Sequence, residues 1–306
     1  MAGKIFLALA AFSVLVSAES SKFQVRTQKG KSGLVIGYRL FVPANYDKSK
    51  QYPVVLALHG SGERGKDNNI QLTANQLATA WIADSLQNRV PHFVIAPQCP
   101  AESTWVNYGK PVDAVPFSGT LKIVMEIVDS LDREFSLDPD RHYVVGLSMG
   151  GYAGWDLTVR FPDRFAAAVP ICGAGDTTKA ARIKDIPIWA FHGDMDPTVN
   201  VSGSRSMIAV LERAGGHPKY TEYPGVGHDS WSKALKEPGL PSWLFEQKRI
   251  NASLIHDLPG VGRNDGSGDD IAYLANHRAS GSKSEFRAEI PLQNASGMVI
   301  IPQASR

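Results

Sequence analysis

Ser148 stands at the centre of Gly146-Leu147-Ser148-Met149-Gly150, directly after the apolar run Tyr143-Val144-Val145 and just before the helix-compatible stretch Tyr152 to Phe161. A strand that turns at once into a helix strains the backbone of the residue at the turn and drives its side chain out of the sheet. Glycine two before and two after the serine fits this geometry, because a side chain at either place would strike the neighbouring strand or helix as the chain doubles back. Gly-x-Ser-x-Gly also occurs in ordinary Gly-rich turns. The flanking strand and helix are what make Ser148 a candidate nucleophile.

Along the chain, apolar strand candidates alternate with amphipathic helices, the pattern of an α/β protein with a mostly parallel central sheet and helices on both faces. The clearest helix is Leu121 to Phe135, with Leu121, Val124, Met125, Val128, Leu131 and Phe135 on one stripe. A second is expected from about Gln71 to Leu86. Strands around Phe23 to Thr27 and Leu34 to Phe41 are expected to form an antiparallel edge. Tyr52 to Leu58, with Pro53 near its start, reads as a further strand.

A nucleophilic serine needs a base, and the base needs an orienting acid. The run Ile186 to Phe191 reads as a buried strand leading into His192-Gly193-Asp194-Met195-Asp196-Pro197-Thr198-Val199, a turn-rich segment that offers two carboxylates. Lys219 to Tyr223 alternates like a strand and is followed by Gly225-Val226-Gly227-His228-Asp229-Ser230-Trp231. Serine, acid and base would each lie just past a strand, at one edge of a parallel sheet. The chain has eight histidines. His59 and His192 precede glycines at strand ends, where a ring is more often packed than catalytic, and His142 opens a strand. His92 comes too early, His217 precedes the last strand, and His228 is the preferred base.

Together with Leu58-His59-Gly60-Ser61-Gly62-Glu63-Arg64-Gly65 and Ala96-Pro97-Gln98-Cys99-Pro100, these motifs resemble those of the α/β-hydrolase superfamily. More narrowly, the chain resembles secreted esterases and predicted peptidases similar to polyhydroxybutyrate depolymerases, feruloyl esterases and dienelactone hydrolases. The resemblance runs from about Phe23 to Arg249 and implies the α/β-hydrolase fold. It implies Asp196 as the acid, with Asp194 as a turn former, and Ser61 as one oxyanion donor, with Gly62 as the alternative. The other donor is the amide of Met149, at a helix N-terminus. Such a site hydrolyses carboxylic esters through an acyl-enzyme and takes no cofactor. Trp105 and Trp231, in loops expected to rim the site, are candidate substrate-binding residues. Glu63 and Arg64 are expected either to pair or to stand as solvated charges.

The chain has no His-Glu-x-x-His, no Cys-x-x-Cys and no phosphate-binding glycine loop with its lysine, which argues against a metal or nucleotide enzyme. A net charge of +2 gives no electrostatic case for nucleic acid or an anionic membrane surface. Lys4, the apolar stretch Ile5 to Val16 and the small residues Val16-Ser17-Ala18 read as an export signal over residues 1–18, too short for stable membrane insertion. The expected location is secreted or periplasmic, and the catalytic domain is expected over 19–249. Cys99 and Cys172 follow strands that this fold would separate by two others, on the order of 14 Å at about 4.8 Å per step. A disulfide needs Cα atoms within about 7 Å, so free buried thiols are expected. Residues 250–306 are rich in Gly, Ser, Asn and Asp and read as a polar, disordered extension. The motifs leave the ester substrate and the oligomeric state open. A serine peptidase of prolyl-oligopeptidase type and a non-catalytic glycan-binding module are the alternative functions.

Overall fold

The computed structural model describes residues 19–249. The expected export signal and the polar extension from residue 250 lie outside the described residues. Eight strands form one sheet in the order β1-β2-β4-β3-β5-β6-β7-β8. They are β1 (Gln24–Lys29), β2 (Val35–Phe41), β3 (Tyr52–Leu58), β4 (Phe93–Pro97), β5 (Leu137–Leu147), β6 (Ala167–Ile171), β7 (Trp189–Gly193) and β8 (Lys219–Tyr223). β1 pairs antiparallel with β2, and β2 antiparallel with β4, while every pairing from β4 to β8 is parallel. This is the α/β-hydrolase fold, with the antiparallel edge expected from the sequence.

Strand alternation divides the core into two layers. Leu56, Leu58 and Val144 face one side of the sheet, whereas Val55, Ala57, Tyr143 and Val145 face the other. The helices are α1 (Ile70–Thr73), α2 (Asp84–Gln87), α3 (Gly119–Glu134), α4 (Met149–Arg160), α5 (Ser202–Arg213), α6 (Trp231–Ala234) and α7 (Leu240–Glu246). The first layer takes Ile123, Val124, Ile127 and Leu131 of α3, with Trp155 of α4 and Leu211 of α5. The second takes Leu72 of α1 and Leu244 of α7.

The helix expected from Gln71 to Leu86 is a correction. The segment breaks into α1, a 3-10 turn at Thr79–Ile82, and α2. Asn75 Oδ1 accepts the Leu77 amide at 2.9 Å, an alternative to helical bonding that Asn favours, and Ala83 is extended at ψ 131°. The apolar residues Leu72, Leu77, Trp81, Ile82 and Leu86 still reach the core, so their spacing served three short turns as well as it would have served one helix.

Register brings the strand ends together. Leu58 pairs with Gly146, Leu147 with Ile171, Ile171 with Phe191, and Gly193 with Tyr223. The residues just beyond them therefore gather along one edge, the place where open α/β sheets bind ligands. β4 and β6 are separated by β3 and β5, and Cys99 and Cys172 are free and buried. No helix among the described residues is long and apolar enough to cross a membrane.

Candidate active site

Ser148 follows β5 with φ 51° and ψ −116°, a conformation that costs an ordinary residue about 1–3 kcal/mol. The glycines around it leave no room for relaxation. A Cβ on Gly150 would lie 1.8 Å from the Leu58 carbonyl oxygen, and one on Gly146 would lie 2.1 Å from the Gly150 oxygen. The Ser148 amide is held by the Ile171 carbonyl at 2.9 Å.

The side chains of Ser148, His228 and Asp196 form one hydrogen-bonded line. Nδ1 of His228 lies 2.7 Å from Asp196 Oδ2, and its Nε2 lies 2.9 Å from Ser148 Oγ. An ionised carboxylate only accepts, so Nδ1 carries the proton and Nε2 is left to accept from the serine hydroxyl. The Asp196 side chain is out of solvent, and that of His228 is partly exposed. Oδ1 of Asp196 accepts the amides of Thr198 and Val199 at 2.8 and 2.9 Å. Burial works to raise the Asp196 carboxyl, but the His228 hydrogen bond and the two amides outweigh it and hold the group below its usual range. Asp194 faces elsewhere, accepting the Gly225 amide at 2.7 Å, as a turn former does.

The loop after β3 runs beside the nucleophile: a Cβ on Gly60 would lie 3.5 Å from Ser148 Cβ. Nδ1 of His59 donates to the Gly60 carbonyl at 2.6 Å, while its Nε2 accepts the Cys99 amide at 2.9 Å. Carbonyl and following N–H point opposite ways in a trans peptide, so this bond turns the Ser61 amide away from the His59 ring. Burial keeps His59 neutral, pushing it down to about 4. Glu63 does not pair with Arg64. It accepts the Gly60 amide at 2.9 Å, and Arg64 donates to the carbonyls of Ser61 and Ser103. Met149 opens α4, where first-turn amides have no helical partner.

Trp105 does not rim the site, which corrects the expectation drawn from its loop. It is fully buried in the first core layer, its ring centroid 5.1 Å from that of His59 and its Nε1 donating to the His59 carbonyl at 3.0 Å. Once the indole N–H is satisfied, nothing opposes burying so large an apolar surface. Trp231, half-buried, meets the His228 ring edge-on at 5.4 Å. The aromatic surface beside the site is instead Tyr108 and Tyr152, edge to face at 5.0 Å, on a half-open cleft of about 430 Å³ between residues 106–112, α4 and residues 174–177. Tyr152 lies one helical turn beyond Ser148, its amide bonded to the Ser148 carbonyl at 3.0 Å. Sequence reasoning passed over both tyrosines, although Tyr152 at that spacing was a usable signal.

Ligand atoms of Cys172, Asp196 and His228 lie within 4.8 Å of one another. A metal would need the thiolate, yet burial pushes Cys172 up to about 12, and the imidazole and carboxylate are spent on each other.

The model of the Esterase family matches residues 33–222. The chain belongs to that family. This esterase-family chain is 41% identical to a thermostable esterase of known structure, with a TM-score of 0.73 over 76% of its own length and 64% of the other's. It is 30% identical over 175 residues to poly(3-hydroxyalkanoate) depolymerase C of Paucimonas lemoignei, and 24% identical over 226 residues to carboxylesterase SOBER1 of Arabidopsis thaliana. These matches cover 56% and 67% of this chain, and 38% of the depolymerase against 94% of SOBER1. A ferulic acid esterase from Anaeromyces mucronatus, 16% identical at a TM-score of 0.54 over 74% of this chain and 90% of that one, shares the fold.

Proposed function

We propose that the protein is a carboxylic ester hydrolase working through Ser148, His228 and Asp196. The observation that carries this reading is the unbroken line from Ser148 Oγ to His228 Nε2, and from His228 Nδ1 to Asp196, on a serine with positive φ. His228 takes the serine proton as Oγ attacks the ester carbonyl, and Asp196 holds the imidazolium that forms. The amides of Ser61 and Met149 receive the oxyanion. His228 then protonates the departing alcohol, leaving an acyl-enzyme. Water, deprotonated by His228, releases the acid and frees the serine. Family membership supports ester chemistry, and the names of the depolymerase, carboxylesterase and ferulic acid esterase relatives support carboxylic esters as the class.

The cleft beside Tyr152 receives the acyl group, and its two tyrosines suit a flat or extended acyl chain. The apolar stretch Ile5 to Val16 and the small residues after it support export. A panel of p-nitrophenyl esters of increasing chain length, with methyl ferulate and a peptide p-nitroanilide, tests the assignment. The esters turn over, and Ser148→Ala lowers kcat by at least about 1,000-fold. Rapid anilide cleavage with inert esters would overturn it in favour of a peptidase.

A further inference from the structure

His192 takes no part in the reaction just proposed, yet it faces the acid of the triad. It lies on β7, four residues before Asp196, and is 0% exposed. Its Nε2 is 3.0 Å from the Val199 carbonyl oxygen and 3.2 Å from Asp196 Oδ2. Both neighbours only accept, so Nε2 carries a proton. Its Nδ1 lies 2.8 Å from Ser204 Oγ on α5, and that oxygen lies 3.0 Å from the Gly173 carbonyl. The one N–H on Nε2 is directed at the Val199 carbonyl, and Asp196 Oδ2 lies beside that bond as an electrostatic contact.

We infer that His192 is a positioning residue: its Nε2–H, bonded to the Val199 carbonyl and facing Asp196 Oδ2 at 3.2 Å, holds the turn that carries the acid and orients the carboxylate towards His228. The inference rests on the triad reading. Asp196 sits in a turn, where one oxygen is set by the Thr198 and Val199 amides. Rotation of the carboxyl is opposed at the other oxygen by His228, which must itself stay free to move charge, and by His192, which is locked in the sheet. The lock continues to the helix of the nucleophile. A Cβ on Gly203, beside Ser204, would lie 2.5 Å from Ala174 Cβ, and one on Gly173 would lie 2.5 Å from the Gly151 carbonyl carbon in α4. The acid and the helix that Ser148 caps are thus linked through contacts running Asp196, His192, Ser204, Gly173 and Gly151. Orientation of this kind matters to rate because small misplacements of a catalytic group are costly.

The test uses the full chain and p-nitrophenyl butyrate, with circular dichroism and Tm to establish folding. His192→Phe keeps a ring and removes the donor, whereas His192→Gln returns an amide N–H near the position of Nε2. We expect His192→Phe to lower kcat by about 30-fold with KM within about 2-fold, and His192→Gln to recover to within about 5-fold of the parent. A folded His192→Phe with the parent's kcat, or a folded His192→Gln as slow as the Phe variant, would overturn the role. If His192→Phe does not fold, Ser204→Ala decides: a kcat loss of about 3-fold at constant KM supports the inference, and an unchanged kcat removes it. Ser148→Ala is measured alongside. Turnover surviving in that variant sinks the triad reading itself, whereas its loss beside a fully active His192→Phe sinks only the positioning role.

Discussion

The strand ends that carry Ser148 and Asp196 and the loop from Gln98 to Ser118 that walls the cleft lie on the same edge of the sheet, but their backbones are held in different ways. At the strand ends, each segment is tied to its neighbour: Ser148 to Ile171, Cys172 to Phe191, Asp194 to Tyr223 and Met195 to Val226, at 2.8–3.2 Å. The loop is anchored at scattered points, with the Cys99 amide and Trp105 Nε1 on His59 and the Val112 amide on Asp176 at 2.8 Å. Between those anchors Tyr108 is 44% exposed. On the proposed reading the difference has a reason: proton transfer needs closely fixed groups, which the strand ends would supply, whereas a wall that would only accept an acyl chain can be built more loosely.

The sharpest way to break this contrast lies within the rigid side. Asp194 and Asp196 are two residues apart, have the same chemistry and occupy the same turn, yet only Asp196 reaches His228. Asp196→Asn leaves the imidazole free to adopt the wrong tautomer, and kcat should fall by about 10,000-fold. Asp194→Asn keeps an oxygen for the Gly225 amide, and kcat should stay within about 3-fold. Equal losses in the two variants, measured on p-nitrophenyl butyrate, would show that the turn and not the acid is what matters.

The same division governs how much was legible in the sequence. Ser148 and Asp196 follow apolar strand runs, His228 follows the alternating strand Lys219–Tyr223, and all three stand among glycines or turn residues, so local pattern was enough to place them at one edge. The turn after β3 and the start of α4, where the two oxyanion donors are proposed, follow strand ends in the same way. Trp105 was misjudged because its loop position is a local fact, whereas its burial depends on a carbonyl partner at His59, 46 residues away. Tyr108 and Tyr152 form a cleft only through tertiary packing. The contact of His192 with Asp196 arises across a turn whose conformation no residue pattern specifies.

The loosely anchored side is probed by Tyr108→Ala. An exposed ring held edge to face on Tyr152 contributes little to stability, so Tm should stay within about 2 °C. If the cleft receives the acyl group, the kcat/KM preference for methyl ferulate over p-nitrophenyl acetate should fall by about 10-fold, equivalent to about 1.4 kcal/mol of differential binding. An unchanged ratio would move the acyl group out of this cleft. A change in kcat/KM that is uniform across substrates would show that the loop acts on the triad after all.

The smallest expected effect separates stability from chemistry. His59, bonded to the Gly60 carbonyl in the loop after β3, and His92, against the α7 residue Phe245 at 4.4 Å, are both buried, and burial pushes each down to about 4 from the 6.5 of a free imidazole. Between those values the unfolded chain binds more protons than the folded one, so stability is complete above about pH 6.5 and is lost as the pH falls towards 4. Each ring contributes at most a few kcal/mol, seen as several degrees of Tm between pH 7 and pH 4.5. His92→Gln should lower Tm at neutral pH, since the Val90 carbonyl loses the donor that now lies 2.6 Å from it, yet it should flatten the fall of Tm with acid. The acidic limb of kcat/KM should not move, because His92 is remote from Ser148, whereas His59 holds the peptide before Ser61. A Tm profile as steep as the parent's would show that His92 is not held neutral, and a shifted acidic limb would couple α7 to the catalytic edge.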